Sequence, residues 1–196
     1  MKKALFVVLA LVVVVGMVQA SDMRFGVKAG LTLGNVNKDV EELDAPAEAD
    51  KKMRMALTFG AMMHMPVGEN MVFMAEGSYV PKGVKIEYMG DEMIIRLDYF
   101  QFDAMMKYLF SENFGLFAGP GMGLIMKAEE EFNGEAYDFK DNVETLEFSL
   151  NIGGQFMATE NVVIDARYNM GLTNVPDEGD FDLKNNVLSL TVGYLF

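Results

Sequence analysis

The segment Asn186-Val187-Leu188-Ser189-Leu190-Thr191-Val192-Gly193-Tyr194-Leu195-Phe196 closes the chain on an aromatic residue with strict alternation of side-chain character. Leu188, Leu190, Val192, Tyr194 and Phe196 fall on one face of an extended strand. Ser189, Thr191 and Gly193 fall on the other, because successive side chains point to opposite sides. Soluble globular chains rarely end this way.

The opposite end carries Lys2 and Lys3, an unbroken apolar run from Ala4 to Val15, and Val18-Gln19-Ala20 ahead of Ser21. This pattern predicts a secretory signal peptide over 1–20, cut after Ala20, with 21–196 forming one domain. A retained anchor is the alternative, but the apolar core is shorter than the about 20 residues that a spanning helix needs. Together the two ends predict a β-barrel in a bacterial outer membrane, closed by the C-terminal strand.

Removing the leader takes away two cations and no acid, so the formal net charge goes from −13 to −15. Such a chain does not suit nucleic acid. Cysteine is absent, which excludes disulfides and thiol chemistry although export would permit them. No cofactor is expected.

Eight stretches alternate with period two: Met23 to Leu33, Met53 to Met65, Met71 to Val84, Ile94 to Phe110, Phe114 to Ala128, Thr145 to Ala158, Val162 to Leu172 and Asn186 to Phe196. Each exceeds the roughly 9 to 11 residues with which a tilted strand crosses a bilayer. Tight connections, Pro66 to Asn70, Ser111 to Asn113 and Thr159 to Asn161, alternate with long polar ones, Gly34 to Lys52, Lys85 to Met93, Glu129 to Glu144 and Thr173 to Asn185. The expected architecture is therefore an all-β, eight-stranded, antiparallel up-and-down transmembrane barrel, with turns in the periplasm and four acidic loops outside.

Volume decides which face meets lipid. One stripe carries groups such as Phe25, Met55, Leu57, Phe59, Met63, Met65, Phe100, Phe102, Phe148 and Ile164. An eight-stranded lumen has no room for so many large side chains, so this stripe points outward. The other stripe is rich in glycine and ionisable residues, as a crowded polar interior requires. A lipocalin-like barrel, the main soluble rival, would reverse the two faces. Phe73, Tyr108, Phe110, Phe114, Phe156, Tyr194 and Phe196 gather near the turn end, where a girdle of rings is expected at the membrane interface.

With these residues assigned, the chain resembles the PorT-like outer-membrane β-barrel family, akin in architecture to OmpA and OmpX type eight-stranded barrels. The resemblance rests on Ala166-Arg167-Tyr168-Asn169-Met170-Gly171-Leu172-Thr173-Asn174-Val175 on the seventh strand, Ala118-Gly119-Pro120 on the fifth and Tyr99 to Lys107 on the fourth. It departs where the family tends to have Pro and this chain has Asp103. It implies fold and location, and no shared reaction. On the fourth strand the apolar parity switches from Ile95 and Leu97 to Phe100 and Phe102, which predicts a bulge near Tyr99.

The inward stripe holds Arg24, Lys28, Arg54, Lys107, Lys127 and Arg167 against Glu76, Asp103, Glu147 and Asp165. Buried charges must pair, so a plug of salt bridges is expected in preference to a gated ion path. His64, the single histidine, is the natural catalytic suspect. A tight turn after Met65 would set Met62 opposite Met74, Gly60 opposite Glu76 and Thr58 opposite Ser78. That leaves His64 and Glu76 on the order of 13 Å apart, too far for a relay.

Met53, Met55, Met62, Met63 and Met65 around His64 invite a copper reading, but four of them take lipid-face positions, where Met replaces Leu. Seven carboxylates (Glu129, Glu130, Glu131, Glu135, Asp138, Asp141, Glu144) surround Lys140, and Asp177, Glu178, Asp180 and Asp182 lie in the last loop. Their spacing matches no EF-hand pattern, so a solvated face is expected over a cation site, and no metal site is assigned.

The reading is a monomeric, non-enzymatic surface barrel. Its partners are outer-membrane lipid, lipopolysaccharide and, through the C-terminal strand, the barrel-assembly machinery. A narrow pore or export component is the first alternative, a lipid A-modifying enzyme the second.

Overall fold

The computed structural model describes residues 23–38, 49–132, 134–176 and 183–196. The expected signal peptide and Asp177, Glu178, Asp180 and Asp182 lie outside the described residues.

Nine strands occur among the described residues: β1 (Arg24–Val36), β2 (Asp50–Pro66), β3 (Met71–Tyr88), β4 (Asp91–Leu109), β5 (Phe114–Phe132), β6 (Glu135–Asp138), β7 (Leu146–Met157), β8 (Val162–Gly171) and β9 (Asn185–Leu195). All pairings are antiparallel. The order β4-β3-β2-β1-β9-β8-β7-β5 closes on itself through β4–β5. Eight staves therefore form the ring. The short β6 pairs only with β5, as a hairpin above the rim.

Outward parity follows volume on the closing strand, where Leu188, Leu190, Val192, Tyr194 and Phe196 are exposed and Thr191 is buried. The lipocalin arrangement is thereby excluded, because the apolar stripe covers the outside of the barrel. Met63 and Met65 keep outward parity yet are 9% and 6% exposed. Each is registered beside a phenylalanine, Phe25 for Met63 and Phe73 for Met65, which accounts for the cover.

The staves run longer than the sequence periodicity alone predicts. Lys85 to Met93 is not a loop: β3 and β4 continue as a ladder to Tyr88 and Asp91 and turn on Met89 and Gly90. Both turn residues have positive φ, 50° and 95°, the two-residue geometry in which glycine is favoured. At the other end Ser111 Oγ accepts the Phe114 N–H at 3.1 Å and Thr159 Oγ1 the Val162 N–H at 3.0 Å, holding two tight turns.

Two irregularities interrupt the ring. Between β4 and β5, Asp98 faces Lys127 and Tyr99 faces Ile125, so the extra residue is Met126 on β5. The bulge expected on the fourth strand near Tyr99 lies instead on its partner β5, and β4 keeps a single parity. Leu97 and Tyr99 are both inward and buried, with Ile95 packed against them in one apolar cluster. The interior, not the strand, changes character there.

Between β2 and β3 the register jumps from Met53↔Val84 to Phe59↔Tyr79. Side chains replace ladder bonds across the gap: Thr58 Oγ1 donates to the Tyr79 carbonyl at 2.6 Å, Thr32 Oγ1 to the Pro81 carbonyl at 3.1 Å, and Arg54 to the Lys82 carbonyl. Pro81 has no N–H to contribute, so this is where a ladder is easiest to open.

Above the barrel, the β7-side and β8-side loops join through a Val143↔Pro176 bridge and a 2.8 Å bond from the Glu144 N–H to the Val175 carbonyl. They carry Val143, Val175 and Leu183 onto Val36, Val84, Leu97, Tyr99, Ile125 and Ala128, closing the mouth with an apolar cap.

Close packing in the middle rests on glycine. A Cβ on Gly121 would lie 2.3 Å from Asp103 Oδ1 and 2.6 Å from Ser149 Oγ. Gly121→Val should therefore destabilise the barrel by about 1–3 kcal/mol or more. Urea unfolding of refolded protein in detergent would show the lower midpoint, and an unchanged midpoint would contradict this packing.

Candidate functional site

Three layers fill the lumen. At the turn end Val72, Met74, Met105 and Phe117 form one apolar cluster and Met62, Val163 and Leu195 another. The apolar cap closes the opposite end. Between them lies a continuous network of buried polar groups, which is the candidate site.

Arg167 on β8 is its hub. Its guanidinium donates to Glu76 Oε1 at 3.0 Å and to Asp103 Oδ2 at 3.1 Å, and reaches Asp165 Oδ2 at 3.4 Å. It also stacks on the Phe117 ring, 5.0 Å from the centroid. Lys28 forms an ion pair with the same Glu76. Asp103 further accepts from Gln101 Nε2 at 2.7 Å and from Asn151 Nδ2 at 2.8 Å.

From Asn151 the chain continues to Asn169 Nδ2 at 2.9 Å, and Asn169 Oδ1 accepts from Lys82 Nζ at 3.1 Å. Lys82 pairs with Glu147, which accepts from Asn185 Nδ2 at 2.6 Å. Side chains from β1, β3, β4, β7, β8 and β9 thus join in one hydrogen-bonded path, while β5 contributes the glycine that leaves it room.

The remaining inward assignments fall elsewhere. Arg54 pairs with Asp98 at 2.8 Å, and Asp98 also accepts from the Tyr79 hydroxyl at 2.7 Å, all at the β2–β3 gap. Lys107 donates to Gln155 Oε1 at 2.7 Å near the turn end. Arg24 sits at that rim, donating to the Glu160 carbonyl at 2.7 Å. Lys127 does not belong to the plug: its side chain is 43% exposed and pairs with Glu129 at 2.7 Å. The Met126 bulge inverts parity, so Ala128 points inward and Lys127 does not.

Lys82, fully buried, is the functional residue that sequence reasoning missed. Its signal was the even parity of Glu76 and Ser78 carried two steps further. Asp98 was invisible, because parity places it outward and only the β2–β3 gap gives it partners.

The hairpin register also differs by two residues from expectation: His64 faces Met74, and Met62 faces Glu76. His64 is therefore two residues from Glu76 along the ladder, about 7 Å, rather than four. Its Nε2 has no hydrogen-bond partner, so no nucleophilic relay is assembled on it. Among the described residues no group of three or more His, Asp or Glu side chains is arranged to hold a metal ion.

The seven aromatics lie at the turn end. Phe73 is half-buried, while Tyr108, Phe110, Phe114, Phe156, Tyr194 and Phe196 are exposed. Tyr108 packs edge-on to Phe110 with centroids 5.0 Å apart, and Tyr194 lies 5.8 Å from Phe196. On the projecting β3–β4 hairpin, hydrogen bonds from Lys52 and then Lys85 hold the Glu87 carboxyl below the usual range, while Glu92 and then Glu87 raise Lys85.

Removing the hub strands two carboxylates in the interior, Asp103 and Asp165, while Glu76 keeps Lys28. Arg167→Ala should cost about 3–5 kcal/mol, whereas Lys127→Ala should cost about 1 kcal/mol or less. Paired urea titrations in detergent check the contrast, and equal losses would contradict the assignment of Lys127 to the rim.

Comparison with known proteins follows the same architecture. Residues 6–196 match the model of the outer membrane protein beta-barrel domain. No curated protein matches the sequence. Among solved structures, Ail, the attachment invasion locus protein of Yersinia pestis, superposes with TM-score 0.52 at 18% identity, covering 89% of this chain and 99% of Ail. Neisserial surface protein A superposes with TM-score 0.57 at 13% identity, over 88% of this chain and 97% of that one. These likenesses describe the fold. With the match along nearly its whole length, the chain belongs to the outer membrane protein beta-barrel family and is a protein of the bacterial outer membrane.

Proposed function

We propose that this protein is a monomeric, non-enzymatic barrel whose lumen is structural and whose surface segments carry its function. The observation that carries the reading is the unbroken path from Lys28 through Arg167 and Asp103 to Glu147 and Asn185, roofed by the apolar cap. A conducting path would need a continuous hydrated route past groups whose charges are already spent on one another.

The leader expected over 1–20, the ring of Phe and Tyr at the turn end and the aromatic outward face of β9 support export and recognition by the barrel-assembly machinery. The resemblance to PorT-like barrels supports the same placement at the finer level of subfamily. Lipid and lipopolysaccharide are the immediate partners, the acidic rim meeting lipopolysaccharide phosphates through bridging divalent cations.

Outside, the β5–β6 hairpin sets Phe132 and Tyr137, the latter 82% exposed, among Glu130, Glu135 and Asp138. Phe132, Tyr137, Phe139, Glu130 and Glu135 line a cleft of about 310 Å³. Aromatic faces among carboxylates favour cationic partners over anionic ones. Ail has been solved in complex with the heparin analogue sucrose octasulfate; a polyanion of that kind is poorly matched to this hairpin.

Purified, refolded protein in planar bilayers should show no stepwise conductance, and regular openings would favour a pore instead. On intact cells, trypsin should cut after Lys140, which lies exposed in a short 3-10 turn. Lys51 and Lys52 should be spared, being held in the β2–β3 ladder. A chain left uncut on intact cells and cleaved after Lys140 only once the outer membrane is opened would reverse the orientation.

A further inference from the structure

The turn end of the lumen holds a defect that the plug does not repair. Lys28, Lys82, Arg54 and Arg167 each pair with a carboxylate. Lys107, only 2% exposed, does not. Its ammonium donates to the neutral Gln155; Asp165 and Glu76 act on it only from a distance, Asp165 held by Arg167 through Oδ2 and its Oδ1 without a partner. An ammonium has three donors, so two remain to be used.

His64, 5% exposed, lines the same space with a buried Nε2 that has no partner. Lys107, His64 and Arg24 are the ionisable groups around a cavity of about 140 Å³, whose other walls include Val72, Leu109 and Met157. Among the described residues no carboxylate lines it. A buried cation with no carboxylate in contact and an unpaired imidazole nitrogen are each costly, and both residues line this one cavity. A single small anion repairs both, accepting from Lys107 and from an Nε2–H tautomer of His64, with the Arg24 guanidinium at the entrance.

We propose that this cavity is a small-oxyanion site, taking a carboxylate or phosphate group from the periplasm. At about 30 Å³ per water its volume suits a group of four or five heavy atoms, and the apolar clusters beside it bar anything larger from travelling up the lumen. Entry is from below, between the Pro66 turn and the Arg24 rim. The site is independent of the surface function proposed above.

His64 is the only histidine, so its ring proton resonances report the cavity without ambiguity. Refolded protein in micelles is titrated at fixed pH and ionic strength with inorganic phosphate in one arm and acetyl-alanine in another. A saturable shift is expected, weakened about tenfold or more in Lys107→Gln and kept in Lys107→Arg. Saturation by phosphate alone assigns a free ion. Saturation by acetyl-alanine extends the site to the carboxylate of a larger molecule. A linear drift equal in the wild type and Lys107→Gln means an adventitious ion only and overturns the proposal, as does the absence of any shift. Should Lys107→Gln fail to refold, His64→Gln with the phosphorus resonance as readout gives the same test.

Discussion

A bilayer interior offers a backbone no partners, and the closed ladder of inter-strand hydrogen bonds answers that constraint. Once the β4–β5 pairing completes the ring, every stave must alternate between lipid and lumen, and the side-chain pattern follows. The one stretch where the β2–β3 ladder lapses shows how strictly the constraint applies. Thr58, Thr32 and Arg54 turn side-chain donors onto the Tyr79, Pro81 and Lys82 carbonyls that the ladder leaves over.

Closing eight strands fixes a second condition, a bore wide enough only for side chains. The protein meets it in layers. Apolar groups such as Met74 and Phe117 fill the turn end, ionic and amide groups the middle, and Val84, Leu97 and Tyr99 the mouth. The ionic layer is costly to bury and is satisfied by connection, with Arg167 serving three carboxylates and Asp103 accepting from three donors. Such a filling leaves chemistry to the two ends, with carboxylates and rings at the mouth and cations at the turn end.

Three of the places where sequence and structure part each have their own physical cause. Parity carries along a strand only until a residue is inserted, and Met126 is such an insertion, which is why Lys127 reads as inward and is not. Ile95 and Leu97 read as lipid-facing because apolar residues were assigned outward throughout. The mouth of the barrel is apolar inside as well, and polarity alone cannot separate its two faces. The two-residue offset at the β2–β3 hairpin arose from assuming where the turn closes, since Pro66 stays in the ladder opposite Val72.

The sequence by itself determined the strand period, the tight turns, the outward stripe and most of the ionic inventory of the lumen, Lys82 and Asp98 excepted, because these depend on neighbours two residues apart. Which cation meets which carboxylate was decided by the tertiary structure: Lys82 finds Glu147 and Arg167 finds Glu76 across the bore from distant staves. Those meetings depend on inter-strand register and on the bulges that shift it. Both are set by the closing of the ring as a whole, and no local segment encodes them.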